Sequence, residues 1–186
     1  MARRLVIPDP ALVVLCGPAG SGKSTFARQH FRPTAVVSSD RCRAMISDDE
    51  ANIRVSPDAF ALFHFIIDLR LRHERLTVAD STALRREARR DLLAIARRHR
   101  VPAVLIVFDV PEERAQTLNA HRPGRRVGRP VIREQWERLQ EALRTVHSEG
   151  FDQVYILGED EVGTVQVEVK TGERRDAPHQ RPEDPS

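Results

Sequence analysis

Short apolar runs alternate along the chain with longer stretches that are apolar on one face only. This alternation is typical of repeated strand–helix units built around a parallel sheet. A further stretch in which apolar and polar residues alternate, 165–170, predicts an edge strand. The apolar runs predict buried strands over 11–16, 35–38, 76–79, 103–108 and 153–157.

The segments between these runs have the spacing of apolar residues expected of helices. Proline at the start of some of them, and glycine after the last, supports helix boundaries there. The segment 47–56 is polar and without a pattern, which predicts a loop. The helical segments are 24–30, 57–72, 85–99, 111–119 and 132–149. The sequence therefore predicts an α/β fold, with a parallel sheet of about five strands and helices on both faces.

The length of 186 residues suits one domain, which we place over residues 1–170. Residues 171–186 are polar and rich in proline, which predicts a flexible tail or linker. No apolar run approaches the ~20 residues of a membrane span, so no membrane association is expected. Cys16 and Cys42 match no disulfide framework or metal-ligand spacing, which favours a reducing cytoplasm.

The net charge is only +3, but almost all basic residues are arginine, since Lys23 and Lys170 are the only lysines. Arginine is preferred where a planar, bidentate grip on phosphate is needed. A GC-rich genome produces the same bias, so only local clusters of arginine indicate function.

One motif carries the clearest chemistry. Residues 17–24 read GPAGSGKS and fit G-x-x-x-x-G-K-[ST], between a predicted buried strand and a predicted helix. Backbone N–H groups of such a loop and the helix N-terminus face an anion. Lys23 then reaches the β- and γ-phosphates and Ser24 offers a hydroxyl to Mg²⁺, so the cofactors predicted are ATP and Mg²⁺. The predicted nucleotide-binding residues in this loop are Gly17, Gly20, Ser21, Gly22, Lys23, Ser24 and Thr25.

Asp40 directly follows the second predicted strand, at the edge of the sheet where ligands gather. A carboxylate beside the phosphate loop can take the proton of an attacking hydroxyl as general base. The alternative is that Asp40 caps a helical turn over 41–45. Arg43 lies three residues on, where it grips a phosphodiester of the acceptor or is simply solvated.

Asp80 ends the strand LTVAD, the position at which phosphate-loop proteins hold Mg²⁺ through an acidic group. Ser24 and Asp80 are therefore the predicted metal-binding residues, although Asp80 also suits a cap for the turn that follows it. The acidic residues 48–50 would repel a phosphate-rich substrate if they faced it, so we expect them to be solvated.

The segment from His121 to Arg133 holds five arginines and no acidic residue. Its glycines and prolines, with no apolar anchor, predict a mobile lid that closes over ATP and brings arginines to the transferring phosphate. Arg122 and Arg125 are the predicted lid residues, and Arg126 is a predicted nucleotide contact. The alternative is a surface patch in an arginine-rich protein.

Taken together, these residues resemble the kinase module of bacterial polynucleotide kinase/phosphatase end-repair enzymes, a branch of the P-loop phosphotransferases. The resemblance covers residues 5–157. It rests on LVVLCGPAGSGKSTFA, on VVSSDRCR followed by SDDE, on LTVAD, and on EGFDQVYIL. Two positions depart from the family pattern: Leu118 stands where arginine is usual, and Asp80-Ser81-Thr82-Ala83 replaces D-A-T-N.

The resemblance implies an ATP-dependent kinase that phosphorylates the 5′-hydroxyl end of RNA or DNA. It implies that Lys23 and Ser24 bind ATP and Mg²⁺, that Asp40 is the general base and Arg43 orients the acceptor, and that Arg122 and Arg125 belong to the lid. Phosphatase and ligase modules, on the same or a separate chain, are the partners it implies.

Two other functions fit the phosphate loop. One is a kinase of a small hydroxylated metabolite, because this scaffold serves many acceptors. The other is a nucleotide-dependent switch that phosphorylates no acceptor. Asp40 discriminates against the switch, which needs a residue that orients water rather than a base beside an arginine.

Overall fold

A five-stranded parallel sheet forms the centre of the computed structural model, which describes residues 3–171. The strands of the described residues are β1 (Arg4–Asp9), β2 (Leu12–Cys16), β3 (Val36–Ser38), β4 (Thr77–Asp80), β5 (Ala103–Asp109), β6 (Gln153–Gly158) and β7 (Gln166–Thr171). The order in the five-stranded sheet is β3-β4-β2-β5-β6, with every neighbouring pair parallel, and it confirms the predicted fold class.

Helices cover both faces of the sheet, because alternate residues of its buried strands present apolar side chains to each side. The helices of the described residues are α1 (Lys23–His30), α2 (Ser39–Ser47), α3 (Ser56–Arg72), α4 (Arg86–Arg98), α5 (Glu112–Ala120), α6 (Arg129–Thr145) and α7 (Glu159–Val162). Phe63 of α3, Leu92 of α4 and Leu139 of α6 are buried on one face, and Phe26 of α1 is buried on the other.

The strands β1 and β7 form a separate two-stranded parallel sheet beside α1. The edge strand expected over 165–170 therefore exists as β7, and it pairs with β1 rather than with the five-stranded sheet. Leu5 and Ile7 of β1 are fully buried and cover the α1 face of the central strands. Sequence analysis missed β1, because Pro8 and Pro10 interrupt the pattern there.

The remaining differences between the predicted and the observed elements concern where helices and strands begin and end. The helix after β3 reaches Ser47, and residues 53–55 form a single turn of 3₁₀-helix inside the predicted loop. Thr171, expected in the tail, ends β7, and the rest of the predicted tail lies outside the described residues. Between residues 3 and 171, no helix has the length and apolar character needed to cross a membrane.

Candidate active site

A cavity of about 600 Å³ opens at the carboxyl ends of β3, β4 and β2. Parallel strands all point their carboxyl ends to one edge, so the loops that follow them meet there. The predicted site residues that line the cavity are Gly20, Gly22, Lys23, Ser24, Thr25, Asp40, Arg43, Asp80, Arg122 and Arg125. A second cavity, of about 670 Å³, lies near Asp9 and Arg70 and is lined by none of these residues.

Lys23 is the buried cation of the phosphate loop and is 7% exposed. Its Nζ donates to the carbonyl of Pro18 at 2.7 Å and to Oγ of Ser21 at 3.2 Å. Burial lowers the pKa of Lys23 to about 8, although the carboxylate of Asp80 acts in the opposite direction. The ammonium group is thus held within the loop, and the carboxylate of Asp80 compensates its buried charge only in part. This favours the binding of an anion.

Helices α5 and α6 contact the phosphate loop and fix its position. Gly20 has φ +78°, and a Cβ there would lie 2.3 Å from the carbonyl oxygen of Ala115, so only glycine allows α5 to approach this closely. Oε1 of Gln135, in α6, accepts a hydrogen bond from the backbone N–H of Ala19 at 2.8 Å. Sequence analysis missed Gln135, because nothing local marks a contact across 116 residues.

Asp40 does not cap α2, so the capping alternative is wrong. The N-cap is Ser38, whose side chain accepts a hydrogen bond from the N–H of Arg41 at 3.3 Å. Asp40 lies in the first turn of the helix, where a carboxylate also interacts favourably with the helix dipole. Its side chain is therefore available to the cavity.

Three arginines converge on the Asp40 carboxylate, and we call Arg43, Arg122 and Arg125 the arginine clamp. Oδ1 accepts hydrogen bonds from Arg43 and, at 2.9 Å, from Arg125, while Oδ2 accepts one from Arg122 at 3.0 Å. Burial alone would raise the pKa of Asp40, but the charges of Arg125, Arg43 and Arg122 lower it below its usual value. Arg43 is only 6% exposed and also donates to Oγ of Ser56, so it is not simply solvated.

The lid, which we define as residues 121–128, is held by Asn119, which lies in α5 just before it. The Asn119 side chain donates to the carbonyl of Val127 at 2.8 Å and accepts from its N–H at 3.1 Å. Val127 itself packs against Val110, Ala115 and Ile132. The expectation that the lid lacks an apolar anchor is therefore wrong.

Glu50 faces the cavity, so the expectation of full solvation is wrong for this residue. Its Oε1 accepts a hydrogen bond of 2.5 Å from the backbone N–H of Arg125, in the middle of the lid. A Cβ at Gly124 would lie 2.3 Å from the same oxygen, so the lid backbone passes close to the carboxylate. Asp48 and Asp49, by contrast, are exposed.

Asp80 is 7% exposed at the end of β4. Burial raises the pKa of Asp80, while the charge of Lys23 and a hydrogen bond with Ser24 act against this shift. Mg²⁺ in nucleotide sites takes one or two carboxylates and completes its shell with phosphate oxygens and water. Within residues 3–171 no three acidic, histidine or cysteine side chains cluster as a closed metal cage, and Ser24 with Asp80 fits this partial kind of site.

Some predicted contacts lie outside the cavity. Arg126 is exposed, and its Nε donates to the carbonyl of Arg122 at 3.0 Å. Gly17 donates its N–H to the carbonyl of Thr82 at 2.9 Å, and Ser21 is buried beneath Lys23. Leu118, where the related family has arginine, lines the cavity and is 36% exposed.

The fold and the phosphate loop define the chain as a P-loop kinase domain. It belongs to the AAA domain family, whose profile matches residues 12–146. No curated protein sequence matches the chain.

Solved structures extend this result. A chain of the Pnkp1/Rnl/Hen1 RNA repair complex is similar with a TM-score of 0.64 and 22% identity, over 73% of this chain and 45% of that chain. The chain thus spans less than half of that protein, and the resemblance found in the sequence to an end-repair kinase module is confirmed.

Two other structures share the fold. The AvrRxo1-ORF1:-ORF2 complex with ATP matches with a TM-score of 0.62 and 15% identity, over 81% of this chain and 55% of that chain. A gluconokinase from Sinorhizobium meliloti 1021 matches with a TM-score of 0.50 and 20% identity, over 81% of this chain and 83% of that chain. These likenesses show the fold of the chain.

Proposed function

We propose that this protein is an ATP- and Mg²⁺-dependent kinase that transfers the γ-phosphate of ATP to the 5′-hydroxyl end of RNA or DNA in nucleic-acid repair. The observation that carries the proposal is the arginine clamp on Asp40. A carboxylate and three guanidinium groups beside a phosphate loop supply a base and several phosphate contacts within one cavity. Membership of a P-loop kinase family and the ATP complex of a similar fold support ATP as the donor.

The donor side of the cavity binds the triphosphate. The backbone N–H groups of the loop and Nζ of Lys23 neutralise the β- and γ-phosphates. Ser24 and Asp80 would hold Mg²⁺, which when bound neutralises charge on the β- and γ-oxygens. Gly17, Ser21 and Gly22 shape the loop, and Thr25 lies at the cavity wall.

The transfer step needs a base on the far side of the γ-phosphorus. The 5′-oxygen of the acceptor forms a bond to that phosphorus, the bond to the ADP oxygen breaks, and the hydroxyl proton passes to the Asp40 carboxylate. A carboxylate of lowered pKa is fully ionised at neutral pH, so it is ready to accept this proton.

The arginine clamp leaves room for the acceptor hydroxyl on Asp40. A carboxylate oxygen accepts about two hydrogen bonds, and within residues 3–171 Oδ2 accepts only the one from Arg122, so the hydroxyl can donate to Oδ2. Phosphate groups of ATP and of the acceptor offer these arginines stronger, bidentate partners. Arg122 and Arg125 would then contact the transferring phosphate, and Arg43, in α2, the phosphodiester next to the 5′-end.

A kinase of a small polyhydroxylated acid is the second candidate, and the similarity to a gluconokinase fold favours it. A carboxylate substrate would use one arginine, whereas this cavity presents three around its base. A phosphate-bearing acceptor uses this charge more completely. A nucleotide-dependent switch is less well supported, because it has no need of a base beside an arginine clamp.

Phosphatase and ligase modules are proposed as partners, since the similar repair-complex chain is more than twice as long as the part matched here. A reducing cytoplasm is proposed as the location, because Cys16 and Cys42 are both buried free thiols.

Incubation with γ-labelled ATP, Mg²⁺ and a 5′-hydroxyl oligonucleotide tests the proposal. Label should appear on RNA or DNA ending in a 5′-hydroxyl, and not on the same strand with a 5′-phosphate. Label on a polyol acid such as gluconate, with none on either strand, would instead support the second candidate.

A further inference from the structure

Arg89 of α4 is the largest fully buried side chain that lies outside the cavity, with an exposed fraction of 1%. Its Nε and Nη2 donate to the carboxylate of Glu149 at 2.7 and 2.6 Å. Its Nη1 donates to the carbonyl oxygens of Ala83 and Leu84 at 2.9 and 2.8 Å. The guanidinium thus joins two separate parts of the fold, the short 3₁₀ turn that follows α6 and the turn that follows β4.

The turn that Arg89 holds, residues 81–85, lies against the phosphate loop. Ser81 and Thr82 line the cavity directly after Asp80. The carbonyl of Thr82 accepts a hydrogen bond from the N–H of Gly17 at 2.9 Å. The turn therefore helps to fix the position of the first residue of the phosphate loop. The position of Asp80 relative to Ser24 is therefore set in part by the conformation of this turn.

Ala83 gives the turn an unfavourable backbone. Its φ is +44°, in the left-handed region that residues with a Cβ avoid. Such a conformation persists only where the surroundings determine it. Here the Ala83 carbonyl accepts both Arg89 Nη1 and, at 3.4 Å, Sγ of Cys16, so two buried donors hold it.

We propose that Arg89 is a positioning residue that holds the β4–α4 turn so that Asp80 stays aligned with Ser24 for the divalent cation bound with ATP. Glu149 orients the guanidinium, and Thr145 in turn donates to Glu149 at 2.8 Å. The inference rests on the ATP- and Mg²⁺-binding part of the proposed function, and it is independent of the identity of the acceptor.

A structural role alone would not require this pair. Replacing a buried ion pair by apolar residues of similar volume is often neutral or favourable for stability, whereas removing one partner is strongly destabilising. The double variant Arg89→Met/Glu149→Leu removes both charges together and should keep the fold. It leaves the carbonyl of Leu84 without its donor and that of Ala83 with only the weak Cys16 Sγ donor, so the turn should relax while the core remains packed.

Calorimetric titration with ATP, once with Mg²⁺ and once with EDTA, measures how much Mg²⁺ strengthens ATP binding. In the double variant, affinity in EDTA should stay within about twofold of the wild type, while the gain from Mg²⁺ falls by about tenfold or more, since residues that orient metal ligands typically contribute about 10- to 100-fold. Arg89→Lys should give the same pattern, because lysine keeps the charge opposite Glu149 but lacks the planar guanidinium that donates to Glu149 and to both carbonyls at once. Arg90→Met, an exposed neighbour on the same helix, is the matched control and should change neither value.

Adding Ala83→Gly to the double variant should restore most of the gain from Mg²⁺, because glycine adopts the left-handed turn without help. The inference is overturned if both Arg89 variants keep the full gain, or if they lose affinity equally with and without Mg²⁺. It is also overturned if the loss of the gain from Mg²⁺ correlates only with a lower melting temperature of the variants. The titration contains no polynucleotide. A negative result here therefore leaves the acceptor proposal standing, and failure of the acceptor proposal leaves this result standing.

Discussion

The guanidinium of Arg122 donates a hydrogen bond of 3.0 Å to the carboxylate of Asp40, across 82 residues of sequence. The lid thereby lies against Asp40, and the Asp40 carboxylate is the anion that Arg122 and Arg125 contact. Because phosphates offer these arginines bidentate partners, they can move from Asp40 to the phosphates of ATP and of the acceptor. This change of partners determines what each substitution in the site should do.

Asp40→Asn should abolish phosphoryl transfer while ATP still binds. The amide keeps the shape of the side chain but cannot accept the hydroxyl proton, and general-base catalysis is typically worth about 10² to 10⁴ in rate. Single-turnover transfer and ATP titration measure the two effects separately. Asp48→Asn is the matched control, because Asp48 is exposed at the other end of α2.

Ser38→Ala separates catalysis from capping. Loss of the bond to the N–H of Arg41 should destabilise the protein by about 1 kcal/mol and leave the transfer rate per folded molecule unchanged. If Asp40→Asn instead lowers the melting temperature and spares the rate, the catalytic assignment of Asp40 fails.

Arg122→Ala and Arg125→Ala should each lower kcat more than they raise the acceptor KM. Charge develops on the transferring phosphate only during the reaction, so an arginine that meets it there stabilises the transition state selectively. Steady-state kinetics at two salt concentrations measure this split. Arg133→Ala, exposed on α6, is the control. If the substitutions raise only the acceptor KM and make it less dependent on salt, these arginines form a surface patch that binds nucleic acid and do not act in the transfer step.

Binding of ATP should take up protons at alkaline pH because of Lys23. Burial lowers the pKa of Lys23 to about 8, and the phosphates of ATP favour its charged form. ATP affinity should therefore fall as pH rises above about 8. Calorimetry at pH 7 and pH 9, in buffers of different ionisation enthalpy, should show proton uptake only at pH 9, and Lys23→Met should show none at either.

The same group makes a stability prediction of known sign. The pKa of Lys23 in the folded state lies below its ordinary value of 10.5, so the charged lysine opposes folding below pH 8. This penalty disappears as pH rises from about 8 to 10.5. Lys23→Met should therefore be more stable than the wild type at pH 7, by an amount that shrinks toward pH 10.5, as measured by denaturant unfolding.

Glu50 should control the opening of the lid. Glu50→Ala removes the acceptor for the N–H of Arg125, so hydrogen exchange over residues 122–127 should become faster. Glu50→Gln keeps a carbonyl oxygen in place and should retain most of the protection. Equal exchange in all three proteins would show that Asn119 and Val127 hold the lid without Glu50.

Features written in local sequence could be predicted. The phosphate loop is marked by glycine and lysine spacing between a strand and a helix, and Asp40 and Asp80 by their place after strands. The helix start near Asp40 was less determined, because Ser38, Ser39 and Asp40 are all good capping residues and the pattern does not choose among them.

Features that depend on distant partners could not be predicted. Glu50 and Arg89 each lie in a charged stretch that suits solvent, and only the fold shows that the first faces the lid and the second is buried. The pairing of β1 with β7 joins the two ends of the described chain, and no local pattern encodes it. The apolar anchor of the lid is likewise one residue, Val127, whose packing depends on α5 and α6.

The most direct test of the central claim compares kcat/KM for a 5′-hydroxyl oligonucleotide with that for gluconate and with ATP hydrolysis by water, in one assay with labelled ATP and Mg²⁺. We expect the oligonucleotide to be preferred by orders of magnitude, with the preference lost in Asp40→Asn and weakened at high salt, because phosphate contacts dominate acceptor binding. A preference for gluconate, or hydrolysis that exceeds transfer to every acceptor, would contradict the claim that this protein is a polynucleotide 5′-hydroxyl kinase.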